Sequence, residues 1–228
     1  MYLYNYQYLK NKKANFLIFL FILSLLIRIP SVFLFGDINL ENEWAIIVNN
    51  LVNYNKFSFL RFDDFFVPNV LMPPLYAFYL YFFKIFNFNN EIYVQSVLFS
   101  QCVLSSISVV VFYIINKSFF SNKISLLGAL IFSAFPLHIF ACGQISSIIL
   151  QSFLTIMFFY FFLEIKKNNN FFNIFILSLL SGLLILLRAE FLVLFIFSIF
   201  YLAFFFKIGK KNIFIIIFFI LFLIFPYL

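Results

Sequence analysis

PLYAFYLYFFKIFN, residues 74–87, decides how this chain is laid out. Its 14 residues would make about 21 Å of helix, against about 30 Å of hydrocarbon in a bilayer. Suppose it does not span. Then Lys10, Lys12, Lys13, Lys117, Lys123, Lys166, Lys167, Lys207, Lys210 and Lys211 share one membrane face. Asp37, Glu41, Glu43, Asp63, Asp64, Glu91 and Glu190 share the other. Suppose instead it spans. Every later loop then inverts, and the lysines divide between the faces. Lys and Arg gather in cytoplasmic loops, so the first layout is favoured.

That argument presumes a membrane, and the composition supplies one. Of 228 residues, 65% are hydrophobic, 42 are Phe, and the mean hydropathy is +1.10. Only 10% are charged, against about 25% in soluble domains. A soluble fold this size cannot hide so much apolar surface. This excludes a soluble enzyme, a nucleic-acid-binding domain, a secreted disulfide scaffold and a disordered chain. The net charge of +7 is then a topology signal, and no nucleic-acid partner follows from it. Cys102 and Cys142 both lie in apolar runs and read as small buried hydrophobes.

The expected architecture is an all-α, polytopic transmembrane bundle of about seven spans in a single domain, residues 1–228. The apolar runs are 15–35, 92–116, 124–142, 145–163, 171–187, 191–206 and 213–228. The N-terminus is cytoplasmic. Residues 36–91 form an outer-face loop with two or more surface helices. Trp44, Ile47, Val48, Leu51 and Val52 recur at helical spacing and predict an amphipathic helix lying on the membrane.

Chemistry is concentrated in a few side chains. Asp37, Glu41 and Glu43 stand at the start of that amphipathic helix, with Asn39 as a possible cap. One reading is a capped helix start favoured by the helix dipole. The other is a general base or metal ligand facing a cavity at the membrane surface. Arg188 and Glu190 interrupt two apolar runs: either a hydrated turn, or an Arg that grips a phosphate at the interface. Arg28 lies deep in the first run, where a cation is costly and functional by default unless it snorkels out. His138 follows Pro136 and reads as an interfacial histidine or a ligand.

Four signals, in order, resemble the N-terminal half of GT-C-fold glycosyltransferases, which include the protein O-mannosyltransferases and the lipid A aminoarabinose transferases. They are Glu41-Asn42-Glu43-Trp44 with Leu51; Pro73-Pro74-Leu75-Tyr76; Phe135-Pro136-Leu137-His138 leading to Gly143-Gln144; and Gly182-Leu183-Leu184 with Leu187-Arg188-Ala189-Glu190. The resemblance implies a polyprenyl-phosphate-linked sugar as donor, a lipid, glycan or protein acceptor, and residence in a bacterial inner (plasma) membrane among its lipids. It implies Glu41 as base, with Glu43 and Asp37 behind it. It implies Arg188, and less strongly Arg28, on the phosphate, with Trp44 and Tyr76 as further substrate contacts.

Two departures modify this. Leu40 stands where the family often has the first of two acids, and Ser146, Ser147 and Ile148 occupy a region where many members carry a carboxylate. No cofactor follows from the pattern, and the missing carboxylate argues against a divalent metal. The chain stops at Phe225-Pro226-Tyr227-Leu228 inside an apolar run, so the resemblance implies the N-terminal part of a longer, truncated module. The alternative is a non-enzymatic membrane protein: a transporter, a flippase or an inactive accessory subunit.

Overall fold

A computed structural model describes residues 2–62, 65–68, 72–86, 89–168, 170–205 and 209–225. Asp63, Asp64 and Lys207, weighed above, lie outside them. The described residues are mostly helical: α1 (Tyr2–Phe35), α2 (Asn42–Tyr54), α3 (Pro74–Phe86), α4 (Asn90–Asn116), α5 (Asn122–Ser133), α6 (Pro136–Cys142), α7 (Ile148–Lys167), α8 (Phe171–Leu187), α9 (Phe191–Phe204) and α10 (Lys210–Ile224).

Among these residues, three helices are long and apolar enough to cross a membrane: the 14–35 part of α1, α4 and α7. The count is four if α5 and α6, bent by 51° across a short break, make one broken span. Pro136 causes that break. It sits in the first turn of α6, where its missing N–H costs nothing, and it holds Phe135 extended. The apolar run 124–142 is therefore two helices. At 17, 14 and 15 residues, α8, α9 and α10 reach about 26, 21 and 23 Å, short of the hydrocarbon thickness.

The distribution of side chains is that of a protein whose solvent is apolar. Phe33 is 70% exposed and Arg28 is 0% exposed on the same helix. Ser24, Ser105, Ser108 and Ser178 are buried, while Leu127, Ile131, Phe197 and Phe204 face outward. In water this arrangement would waste its apolar area; in lipid it satisfies polar groups internally. The long apolar helices and this inversion fit an integral membrane protein.

The chain forms two compact units. The first comprises residues 1–38 and 95–153. Leu20, Val109, Tyr113 and Ala129 form its apolar core, drawn from α1, α4 and α5. Ser31 Oγ lies 2.7 Å from Arg28 O and 2.9 Å from Ile139 O, and so ties α1 to α6. Gly143 permits the close approach there: a Cβ on it would stand 3.0 Å from Ser31 O and 3.4 Å from Gly36 Cα.

The second unit comprises residues 39–94 and 154–228. Here α2 packs on α3 through Ile47, Leu51 and Ala77, with Trp44, Phe57 and Tyr81 around them. The amphipathic helix is present, with Val52 on its exposed side rather than the buried one. Asn55 ends it in the left-handed region, and its N–H returns to Leu51 O at 3.1 Å. A β-hairpin follows, β1 (Ser58–Phe62) against β2 (Phe65–Pro68), held to α2 by Asn50 Nδ2 donating to Ser58 O. Two or more surface helices were expected in residues 36–91, and α2 and α3 lie there; the hairpin between them departs from the all-α expectation, since the aromatic run Phe57–Phe62 favours a pleated strand once a partner strand is available. α8 packs closely along α10, and Gly182 allows this: a Cβ there would stand 2.7 Å from Leu223 Cδ1.

Candidate functional site

The acidic segment after α1 divides into a braced part and an open part. Asp37 is braced. Its N–H donates to Gly143 O at 2.8 Å, and its Oδ2 accepts from Ile145 N–H at 2.6 Å. Gln144 Nε2 completes the clamp by donating to Phe35 O at 2.9 Å. Thus the segment after α1 and the Gly143-Gln144 step after His138 lock together, although 108 residues separate Asp37 from Ile145.

Glu41 and Glu43 are open. Glu41 is the N-cap residue of α2, extended at φ −118° and ψ 175°, and it makes no side-chain cap hydrogen bond. Asn39 was the expected cap; because the helix starts at Asn42, Asn39 falls outside the capping position. Both glutamates are exposed, and neither forms an ion pair among the described residues. Each therefore keeps its lone pairs for a ligand or for water, favoured by the positive end of the α2 dipole.

Trp44 and Tyr76 are brought together, edge to face, with ring centroids 5.0 Å apart. Tyr76 is fully buried, so its ring supports Trp44 rather than meeting a ligand directly. Arg188 caps the C-terminus of α8, and Glu190 precedes α9. They form a 3.3 Å ion pair across the turn, on exposed side chains. Among the described residues no hydrogen bond or ion pair joins Arg188 to Glu41 or Glu43. An exposed pair of this kind contributes about 0–1 kcal/mol, so Arg188 is easily drawn to another anion.

Arg28 does not snorkel. It is buried inside the first unit among hydroxyls and carbonyls. Nε donates to Ser105 Oγ at 2.6 Å, and Nη1 donates to Ser24 O at 3.0 Å and Ser133 O at 3.2 Å. Ser105 Oγ lies 2.9 Å from His138 Nδ1, and His138 Nε2 lies 3.0 Å from Ser152 Oγ. Each ring nitrogen of His138 thus faces a hydroxyl that can donate or accept, so the imidazole is held between Ser105 and Ser152 in either neutral tautomer. This chain of donors spreads the buried charge over four side chains. No carboxylate pairs with Arg28 among the described residues. Sequence reasoning singled out Arg28 and His138 separately but not their link through Ser105, which has no local signature.

A second feature escaped the sequence. In the second unit a cleft of about 210 Å³ is lined by Asn39, Asn49, Lys84, Asn90 and Tyr93, with small apolar contributions from Leu40, Ala45 and Val94. It borders the segment that carries Glu41. Among the described residues no three His, Cys, Asp or Glu side chains cluster as metal ligands. Comparison with protein-family models, curated proteins and solved structures finds no match to this chain.

Proposed function

We propose that this chain is a membrane glycosyltransferase with a GT-C-type helical bundle. It moves a sugar from a polyprenyl-phosphate-linked donor to an acceptor hydroxyl at the outer membrane face. In this reading α1, α4, the bent pair α5–α6 and α7 are spans, and the shorter α8, α9 and α10 complete the seven because Lys166, Lys167, Lys210 and Lys211 bracket the α8–α9 pair while Arg188 and Glu190 stand at its turn; the N-terminus is cytoplasmic. The helices α2 and α3 and the hairpin lie at the outer face.

The brace at Asp37 is the observation that carries this reading. It requires residues 37 and 143–145 to share a membrane face. Between them the chain passes α4 and the bent pair, two crossings that return it to the same face. An added crossing by α3 would put the two loops on opposite faces and break the brace. This support is independent of the lysine count. Glu164, the one acid on the lysine side of this layout, is paired with Lys167 at 2.7 Å. The brace also spends Asp37 on structure and leaves Glu41 and Glu43 open beside the cleft, which supports Glu41 as base with Glu43 behind it.

The chemistry needs three events in one place. The acceptor oxygen attacks the anomeric carbon, the bond from that carbon to the lipid phosphate oxygen breaks, and the phosphate departs with the electron pair. Glu41 takes the hydroxyl proton, and Arg188, released from Glu190, offsets the charge growing on the phosphate. Inversion follows from attack opposite the leaving group. The test is sugar transfer from a polyprenyl-phosphate donor by membranes containing the protein. Glu41→Gln should lower kcat by about a hundredfold or more, the usual contribution of a positioned base, with little change in KM. Equal turnover by Glu41→Gln would remove the base assignment. Absence of transfer by the parent protein, reconstituted with varied donors and acceptors, would remove the transferase reading.

A further inference from the structure

The cleft between α2, α3 and α4 has an uneven hydrogen-bonding inventory. Lys84, in the last turn of α3, donates to Asn90 Oδ1 and lies 5.0 Å from the centre of the Tyr93 ring. An ammonium group has three donors. One goes to Asn90 and one points toward the aromatic face, which leaves a third unspent. Asn90 has its carbonyl oxygen occupied by Lys84 and so offers its amide N–H groups. Tyr93 is 1% exposed, and its hydroxyl is buried with no hydrogen-bond partner among the described residues. Asn39 and Asn49 add two more amides to the wall. What remains unspent is mostly donors, gathered around one positive charge.

The charge is also unopposed. Asp37, Glu41, Glu43 and Glu91 all stand within two residues of a lining residue; Asp37 is spent on Ile145 N–H, the three glutamates are exposed, and none of the four pairs with Lys84 among the described residues. Lys84 thus sits in a polar concavity that wants acceptors and negative charge.

The location suits a charged headgroup. The 27 residues of α4 make about 40 Å of helix, longer than a hydrocarbon core of about 30 Å. Its first turn, which carries Asn90 and Tyr93, therefore reaches the headgroup layer.

We infer that the cleft formed by Lys84, Asn90, Tyr93, Asn39 and Asn49 binds a terminal phosphate group, either a phosphomonoester on a lipid or inorganic phosphate free in water. The phosphodiester of a zwitterionic lipid, whose choline offsets its charge, is outside this class. This goes beyond the transferase reading: Lys84 has no part in that reading, and binding is measured without turnover, so either can fail alone.

The protein's single tryptophan, Trp44, precedes Ala45 in the wall of the cleft and reports on it by fluorescence. The full chain is reconstituted in phosphatidylcholine nanodiscs. One arm adds phosphatidic acid to the bilayer, and the other adds inorganic phosphate to the buffer. A saturable change in Trp44 emission is expected, and the arm that responds names the source. Lys84→Gln should weaken binding about tenfold or more, the loss of one charge-assisted hydrogen bond. Tyr93→Leu removes the ring that Lys84 stands over and should weaken it roughly three- to tenfold. Lys211→Gln, on an exposed lysine of α10, should leave it unchanged. The inference is overturned if neither arm responds, if Lys84→Gln binds like the parent, or if Lys211→Gln weakens binding as much as Lys84→Gln.

Discussion

Ser105 is the residue on which the buried cation depends. It accepts from Arg28 and meets His138, so removing its hydroxyl strands two buried polar groups at once. Ser105→Ala should destabilise the protein by on the order of 3 kcal/mol, read as a lowered thermal midpoint in detergent micelles. Ser105→Thr keeps the oxygen and should restore most of that loss. A midpoint unchanged in Ser105→Ala would show that another group holds the cation. Arg28 was legible in the sequence because a charge deep in an apolar run is conspicuous. Its partners were not, because a serine in a membrane helix bonds its own preceding turn as readily as a neighbour, as Ser106 does with Cys102 O. The same holds for Asp37, Glu41 and Glu43. Their clustering was plain in the sequence; which of them is committed to a brace depended on Ile145, far along the chain.

Among the elements, the α8–α10 pair rests on a missing side chain. Adding a methyl to Gly182 puts it 2.7 Å from Leu223 Cδ1 and 3.2 Å from Leu223 Cβ, so Leu223 or the helix must move. Gly182→Ala should cost about 1–3 kcal/mol by overpacking, measured by the same thermal midpoint. The double variant with Leu223→Ala should recover part of it. If the single change leaves the midpoint unaltered, the helices have room that the contact denies. Helix positions were largely readable, since apolar runs and breaks of Asn, Lys and Ser mark them. The bend at Pro136 was present as a residue but not as a geometry, and the hairpin hid in an aromatic stretch whose pattern suits helix or strand equally. Strand pairing is a contact between two segments, so one segment alone does not reveal it.

For the molecule as a whole, the seven-span layout has its own measurement. Phe120 lies in the exposed turn between α4 and α5, and Asn53 is exposed near the end of α2. Cys102 and Cys142 are buried and give little background. A membrane-impermeant thiol reagent applied to intact cells should label Asn53→Cys and spare Phe120→Cys until the membrane is opened. Outside labelling at residue 120 would mean that α3 crosses the bilayer. Composition alone made this a membrane protein, because 65% hydrophobic residues have nowhere else to go. The order of charged residues along the chain gives an expectation for the side of each loop, because Lys and Arg gather in cytoplasmic loops. Tertiary structure decided the rest. Burial of Arg28 among hydroxyls, the commitment of Asp37 to the 143–145 loop and the donor-rich cleft at Lys84 all join residues distant in sequence. Such contacts are made by packing, and a linear pattern carries no record of which distant partner a polar group will find.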